Sequence, residues 1–173
     1  LLDFDNPYFK NLSKNKRGSH VLNDNVIFSI LKDGKDLWVG TSDGGLNLVR
    51  EDSTYYFTEN QNDPFSISGN VIREIYKDEA NERIWMATTR GLSMIDLKTF
   101  DAENPKFRVF RYEIDNPNSS NNDFLKGIAL DTSGTVWGAA FGHGIFSLKL
   151  DSNENVKIDR YKNEKDNSNS LIN

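Results

Sequence analysis

The stretch NVIFSILKDGKDLWVGTSDGGLNLV, residues 25 to 49, decides the fold because it recurs. It can be laid over NVIREIYKDEANERIWMATTRGLSMI (70 to 95) and DFLKGIALDTSGTVWGAAFGHGIFSL (123 to 148). All three copies keep an apolar pair: Val26 and Ile30, Val71 and Ile75, Phe124 and Ile128. An Asp follows (Asp33, Asp78, Asp131), then a Trp (Trp38, Trp85, Trp137) and a Gly (Gly45, Gly91, Gly144). The repeat is about 45 to 53 residues long, a period that marks a solenoid or a propeller. Between copies, DPFSISGN (63 to 70) matches NPNSSNND (116 to 123), with weaker versions at VLNDN (21 to 25) and SLIN (170 to 173).

Each copy reads as four short strands. The first, such as VIFSIL, is a brief apolar run with β-branched and aromatic content, and a polar turn of Asp, Gly and Asn closes it into a hairpin. The second, LWVG or IWMAT, carries the Trp. Small residues and glycine then lead into the third, LNLV, LSMID or IFSLKL, and leave no room for a helix. The fourth is aromatic and alternating: TYYFT (54 to 58), FRVFRY (107 to 112) and VKIDRY (156 to 161). Four antiparallel strands per repeat of this length is the pattern of a β-propeller blade. A helical solenoid requires a 3.6-residue period, which is missing, and a single sandwich does not require a Trp at the same place in each repeat. Residues 1 to 12, LLDFDNPYFKNL, look like the third and fourth strands of an earlier copy, with Phe4 and Asp5 over Ile95 and Asp96. The expected fold is an all-β propeller fragment of about three and a half blades. Residues 1–20 supply outer strands of a preceding blade plus a linker, blades occupy 21–66, 67–119 and 120–169, and 170–173 start the next repeat, all in one domain.

The run of Asn and Ser, then Asn-Val or Asp-Phe, an Asp-bearing turn, Leu-Trp or Ile-Trp, Gly-Thr or Ala-Thr, and Gly-Leu or Gly-Ile resembles the two-component regulator propeller repeat. DLWVGTSDGGLNLV and RIWMATTRGLSMID sit near that family's pattern, whereas VWGAAFGHGI keeps the small-residue turn and loses the Gly-Thr. The resemblance implies the periplasmic sensor region of a hybrid two-component histidine kinase and response regulator. In such receptors many blades precede a small β domain, a membrane helix and kinase modules, none of which this sequence shows. It also implies a membrane-anchored parent, a dimer whose arrangement a glycan fragment shifts, and no membrane contact by this segment.

Bulk properties agree with a globular chain. There are 173 residues, 36% hydrophobic and 12% aromatic, enough for a packed core. A formal charge of -5 argues against nucleic acid as a partner, because phosphate neutralisation needs clustered Lys and Arg. No stretch of 18 apolar residues is present, and LLDFDNPYFK lacks the basic start and apolar middle of a signal peptide. The absence of cysteine removes disulfides and thiolate metal sites and leaves the compartment open.

Several motifs imitate chemistry. GTSDG (40 to 44) fits the GxSxG of a hydrolase nucleophile at Ser42, but that elbow needs a strand, a sharp turn and a helix, and here GLNLV, a strand, follows. The sister copies hold Thr89 and Phe141 nearby, and His20 and His143 are the only histidines, so a turn is expected. DSNENV (151 to 156) opens like a calcium loop, yet Val156 replaces the glycine and Lys162 the bidentate Glu; no metal or other cofactor is expected. DTSGTVW (131 to 137) differs in order from the Asp-box of sialidase propellers, and NLS (11 to 13) and NSS (118 to 120) are triplets that Asn-rich turns generate by chance. The three tryptophans are expected in the core. Gly44, Gly45 and Gly91 are expected to supply conformations that a Cβ resists.

What remains is a surface. In propellers the loops from fourth to first strand and from second to third strand share one face, where ligands commonly sit. Arg90, Phe141 and His143 break the repeat there, and Asp43, Asn70 and Asp123 add sugar-binding polar groups. The expected function is non-catalytic ligand sensing, with an oligosaccharide as ligand and self-association to cover open blade edges. A propeller lyase or glycosidase, which needs clustered acids or a His pair, and a protein-interaction scaffold are the alternatives.

Overall fold

The protein is described by a computed structural model over residues 21–51, 53–111, 124–165, 167–168 and 170–171. The expected half-blade at 1–12, the triplets at 11–13 and 118–120, His20 and Asp123 lie outside the described residues.

Among the described residues twelve strands form three separate four-stranded antiparallel sheets, and there is no helix. The first sheet joins β1 (Ile27–Asp33), β2 (Asp36–Thr41), β3 (Leu46–Arg50) and β4 (Ser53–Phe57) in sequence order. The second joins β5 (Ile72–Asp78), β6 (Arg83–Thr88), β7 (Gly91–Asp96) and β8 (Arg108–Phe110). The third joins β9 (Leu125–Leu130), β10 (Val136–Ala140), β11 (Gly144–Leu150) and β12 (Val156–Tyr161). Within each sheet every strand pairs with the next, as an up-and-down blade requires. The first strands lie side by side from blade to blade, β1 along β5 and β5 along β9, so they form the inner rim.

The core is two layers between blades. Trp38, Leu46 and Leu48 of the first blade pack with Ile72, Ile84, Met86 and Ile95 of the second. Trp85, Leu92 and Met94 of the second pack with Leu125, Val136, Phe146 and Leu148 of the third. Period-2 alternation therefore sends successive side chains of an inner blade to opposite interfaces, and both faces are apolar. The indole nitrogens of Trp38 and Trp85 are buried without a hydrogen-bond partner. An unpaired N–H costs about 1–3 kcal/mol, whereas burying about 200 Å² of indole at 25 cal/mol per Å² contributes roughly 5 kcal/mol. Packing wins, and the rings stay inside.

Trp137 departs from this pattern. It is only half-buried, and its Nε1 donates to Asp131 Oδ2 at 3.0 Å. The fourth strand of the second blade is also shorter than FRVFRY suggests: Phe107 is buried outside it, its N–H donating to the Phe65 carbonyl at 2.8 Å.

The repeated glycine has one job in all three blades. Gly45, Gly91 and Gly144 open the third strand with φ of 75°, 123° and 81°. A Cβ there would meet the carbonyl oxygen that ends the fourth strand, at 2.2 Å from Phe57, 2.9 Å from Phe110 and 2.2 Å from Tyr161. Gly44 differs from expectation. Its φ is not positive, and what excludes a Cβ is the Asn23 side chain, 2.3 Å away.

Candidate functional site

The face carrying the fourth-to-first and second-to-third loops is built on polar clamps. In the first blade Asn23 donates its N–H to Asn47 Oδ1 (3.0 Å), and Asn47 Nδ2 donates back to Asn23 Oδ1 (2.8 Å). In the second blade Ser68 and Ser93 replace them: Ser68 N–H donates to Ser93 Oγ at 3.0 Å, and Ser93 Oγ donates to Ser68 Oγ at 2.8 Å. Asn47 and Ser93 are fully buried, so each must be paired to be tolerated, and the pairing fixes where the incoming linker enters the blade.

Ser42 belongs to this scaffolding. Its hydroxyl donates to Asp24 Oδ2 at 2.8 Å, and the same oxygen accepts the Asp43 N–H at 3.0 Å. The Asp24 carboxyl is held below the usual carboxylate range, chiefly by the Val26 N–H and then by the Ser42 hydroxyl. The chain then enters β3, not a helix, so GTSDG is a turn.

Arg90 forms an ion pair with Glu59 at 2.8 Å, and its carbonyl accepts from Arg111 Nη1 at 2.6 Å. Asn70 Oδ1 accepts the Glu59 N–H at 2.7 Å, and its carbonyl accepts the Gly45 N–H at 2.8 Å. These two candidates therefore stitch the linker between the first and second blades. Asp43 is exposed on the same loops, and His143 is half-buried in the turn before β11, its N–H donating to the Ala140 carbonyl at 3.0 Å.

Phe141 is different. It is 62% exposed, its ring lies 5.5 Å from Phe124, and the Lys126 ammonium sits 4.9 Å from its centroid and 5.0 Å from that of Phe124. The Arg73 guanidinium approaches Phe124 from the neighbouring blade at 5.4 Å and lies 4.4 Å from the Phe28 centroid. Five residues from three blades thus form one continuous cation–aromatic cluster at the inner rim.

A backbone irregularity assembles it. The first strand of every blade slips register against the second at the same repeat position, between Ile27 and Ser29, between Ile72 and Glu74, and opposite Ala139 and Ala140, where Gly127 and Leu125 pair. The skipped residues are Phe28, Arg73 and Lys126. A bulge re-aims a side chain out of the sheet's alternation, and here it does so three times. The sequence holds the signal, since Phe28, Arg73 and Lys126 fall in one column inside the apolar pair. Strict alternation would hide that column between blades, so the bulge, and not the pattern, brings it to the rim.

The loops with Asp motifs are turns. Asp131 accepts from Ser133 N–H (2.8 Å), Ser133 Oγ (2.7 Å), Thr135 N–H (3.0 Å) and the Trp137 indole, and these donors, the indole foremost, lower its carboxyl strongly. Asp151 Oδ1 accepts the Asn153 and Asn155 N–H groups at 2.8 and 2.9 Å and its Oδ2 accepts the Asn155 side-chain amide at 2.9 Å, so the carboxylate that opens the calcium-like stretch is committed to its own turn. Among the described residues no three His, Asp or Glu side chains gather as metal ligands.

The two component regulator propeller family matches residues 21–43. Two solved structures from B. thetaiotaomicron share the architecture. One is the extracellular domain assigned to the hybrid two component system BT3049, at 28% identity and a TM-score of 0.61 over 80% of this chain. The other is the extracellular domain assigned to the hybrid system BT4673, at 18% identity and a TM-score of 0.55 over 86% of this chain, which speaks for the fold alone. The chain spans 18% and 24% of the length of those two structures. No curated protein matches it.

Proposed function

We propose that this chain is part of the extracytoplasmic ligand-sensing propeller of a hybrid two-component receptor, a reading supported by the match of residues 21–43 to the two component regulator propeller family. In this reading the chain responds to glycan fragments, catalyses nothing itself, and passes the signal to a membrane-anchored kinase in the same polypeptide. The observation that carries it is the 28% identity, over 80% of the chain, to the extracellular domain of a protein assigned to that receptor class. The chemistry of the loop face supports recognition: half-exposed aromatic rings, amides and cations bind hydroxyl-rich rings by stacking and paired hydrogen bonds. Binding shifts an equilibrium between receptor arrangements, a dimer being the simplest, only by its differential affinity for them.

A thermal-shift screen tests this. The chain, and the longer extracytoplasmic region around it, are melted against plant and host oligosaccharides. A rise for one sugar in both places a binding surface on these blades, because a ligand that binds only the folded state stabilises it by mass action. A rise in neither, across the panel, overturns the glycan reading and leaves the protein-interaction scaffold.

A further inference from the structure

The cluster of Phe28, Arg73, Phe124, Lys126 and Phe141 contains two cations with no acid partner among the described residues. Neither Arg73 nor Lys126 forms an ion pair among the described residues, although most other cations near blade junctions do: Lys77 with Asp33, Arg83 and Arg108 with Glu154, and Arg90 with Glu59. Arg73 Nε is buried and has no hydrogen-bond partner. Glu74, the acid next to it in sequence, is turned to the third blade, where it accepts the Ile128 N–H at 2.6 Å.

Rings against a guanidinium satisfy its face and leave its in-plane N–H groups, the edge that binds a planar oxyanion through two parallel hydrogen bonds. Lys126 is exposed and supplies a second positive charge one blade along. Phe141 and Phe28 are 62% and 40% exposed, and such rings stack on the C–H face of a sugar. An aromatic platform beside two cations that no acid pairs among the described residues suits a ligand with both a pyranose face and an anionic group.

We propose that this bulge-built cluster is the binding site for an acidic sugar, with Arg73 and Lys126 taking its carboxylate or sulfate and Phe141 stacking on its ring. The inference rests on the glycan-sensing reading and narrows it to anionic oligosaccharides. It also transfers the recognising role from Arg90, already paired with Glu59, to Arg73.

The experiment is titration calorimetry on the full 173-residue chain with trigalacturonate, a sulfated disaccharide, and a neutral galactose trimer. Trigalacturonate or the sulfated sugar binds, and the one that binds tells carboxylate from sulfate; the neutral trimer binds at least about 10-fold more weakly, and the difference shrinks as salt rises. Lys126→Gln and Arg73→Gln each weaken the acidic sugar by about 10-fold or more, and Arg73→Lys recovers part of the loss, as expected for charge-assisted bonds. Lys98→Gln removes the same charge far from the cluster and leaves binding unchanged. Lys126 is exposed, so its variant folds, and melting curves of the Arg73 variants separate lost affinity from lost structure. Equal binding of the neutral trimer, or full binding by Lys126→Gln and a folded Arg73→Gln, overturns the acidic-sugar site and leaves the glycan reading standing. No binding of any acidic sugar overturns the site, and the wider screen of the longer region then decides the glycan reading separately.

Discussion

The second and third blades carry the same repeat and live in different surroundings. In the second, β6 and β7 are buried almost end to end and Trp85 is 2% exposed, because the first blade packs on one side and the third on the other. In the third, β12 alternates between half-buried and exposed, and Trp137 lies half-open against Tyr161, with ring centroids 5.7 Å apart. The third tryptophan satisfies its indole nitrogen through Asp131, which the two buried ones do not. The repeat's tryptophan is a core residue where the following blade packs over it, as the second blade does over Trp38 and the third over Trp85, and a polar-anchored, half-buried ring at Trp137, which belongs to neither core layer among the described residues. A blade's burial belongs to the pair of blades and not to the repeat.

Truncating the two rings gives the largest contrast. Trp85→Ala is expected to cost about 3–5 kcal/mol and Trp137→Ala about 1–2 kcal/mol, because the first leaves a cavity and the second opens to water. Urea unfolding of both variants checks this, and equal losses would mean that the third blade's outer face is covered in solution, as self-association would cover it.

The hinge glycines sharpen the comparison from the other side. Gly144→Ala places a Cβ against the Tyr161 carbonyl in a left-handed conformation, for an expected loss of about 2 kcal/mol. The cost is smaller than for Gly45→Ala, since Tyr161 is 41% exposed and can move, whereas Phe57 is buried. The ratio of the two losses in the same unfolding assay measures how much freer the outer edge of the third blade is.

The smallest effect is acid dependence. The folded Asp131 carboxyl lies well below its ordinary value of 3.8, so its contribution is fully present above 3.8 and is lost as pH falls from there through the lower folded value. Asp131→Asn should therefore melt below the parent near neutral pH, with the gap closing under acid. Trp137 emission should report the change, since its indole loses the carboxylate acceptor; a pH-independent gap would show that the turn's backbone bonds do not need the charge. The exposed site keeps the effect small.

The strands, the tryptophan column and the glycine column were legible because each follows from a local rule: alternation, an apolar ring in a strand, or a φ that only glycine enters cheaply. The candidate site was legible in part. Arg90 and Phe141 are visible as departures from the repeat, but whether a cation is free or paired depends on what the next blade brings. Glu59 comes to Arg90 from 31 residues away, and among the described residues no such acid comes to Arg73. Phe28 and Lys126 are not legible as site residues, because strand alternation assigns them to the sheet faces and a bulge suspends that alternation for one residue.

By itself the sequence determined an all-β chain of four-stranded antiparallel blades, since hydrophobic period, turn residues and repeat length are local quantities that survive without knowledge of neighbours. Only the tertiary structure decided which tryptophan is core and which is surface, which cations are spent, and that three bulged strands converge on one rim. Those are properties of residues distant in sequence and adjacent in space, and burial and electrostatic partnership depend on that adjacency alone.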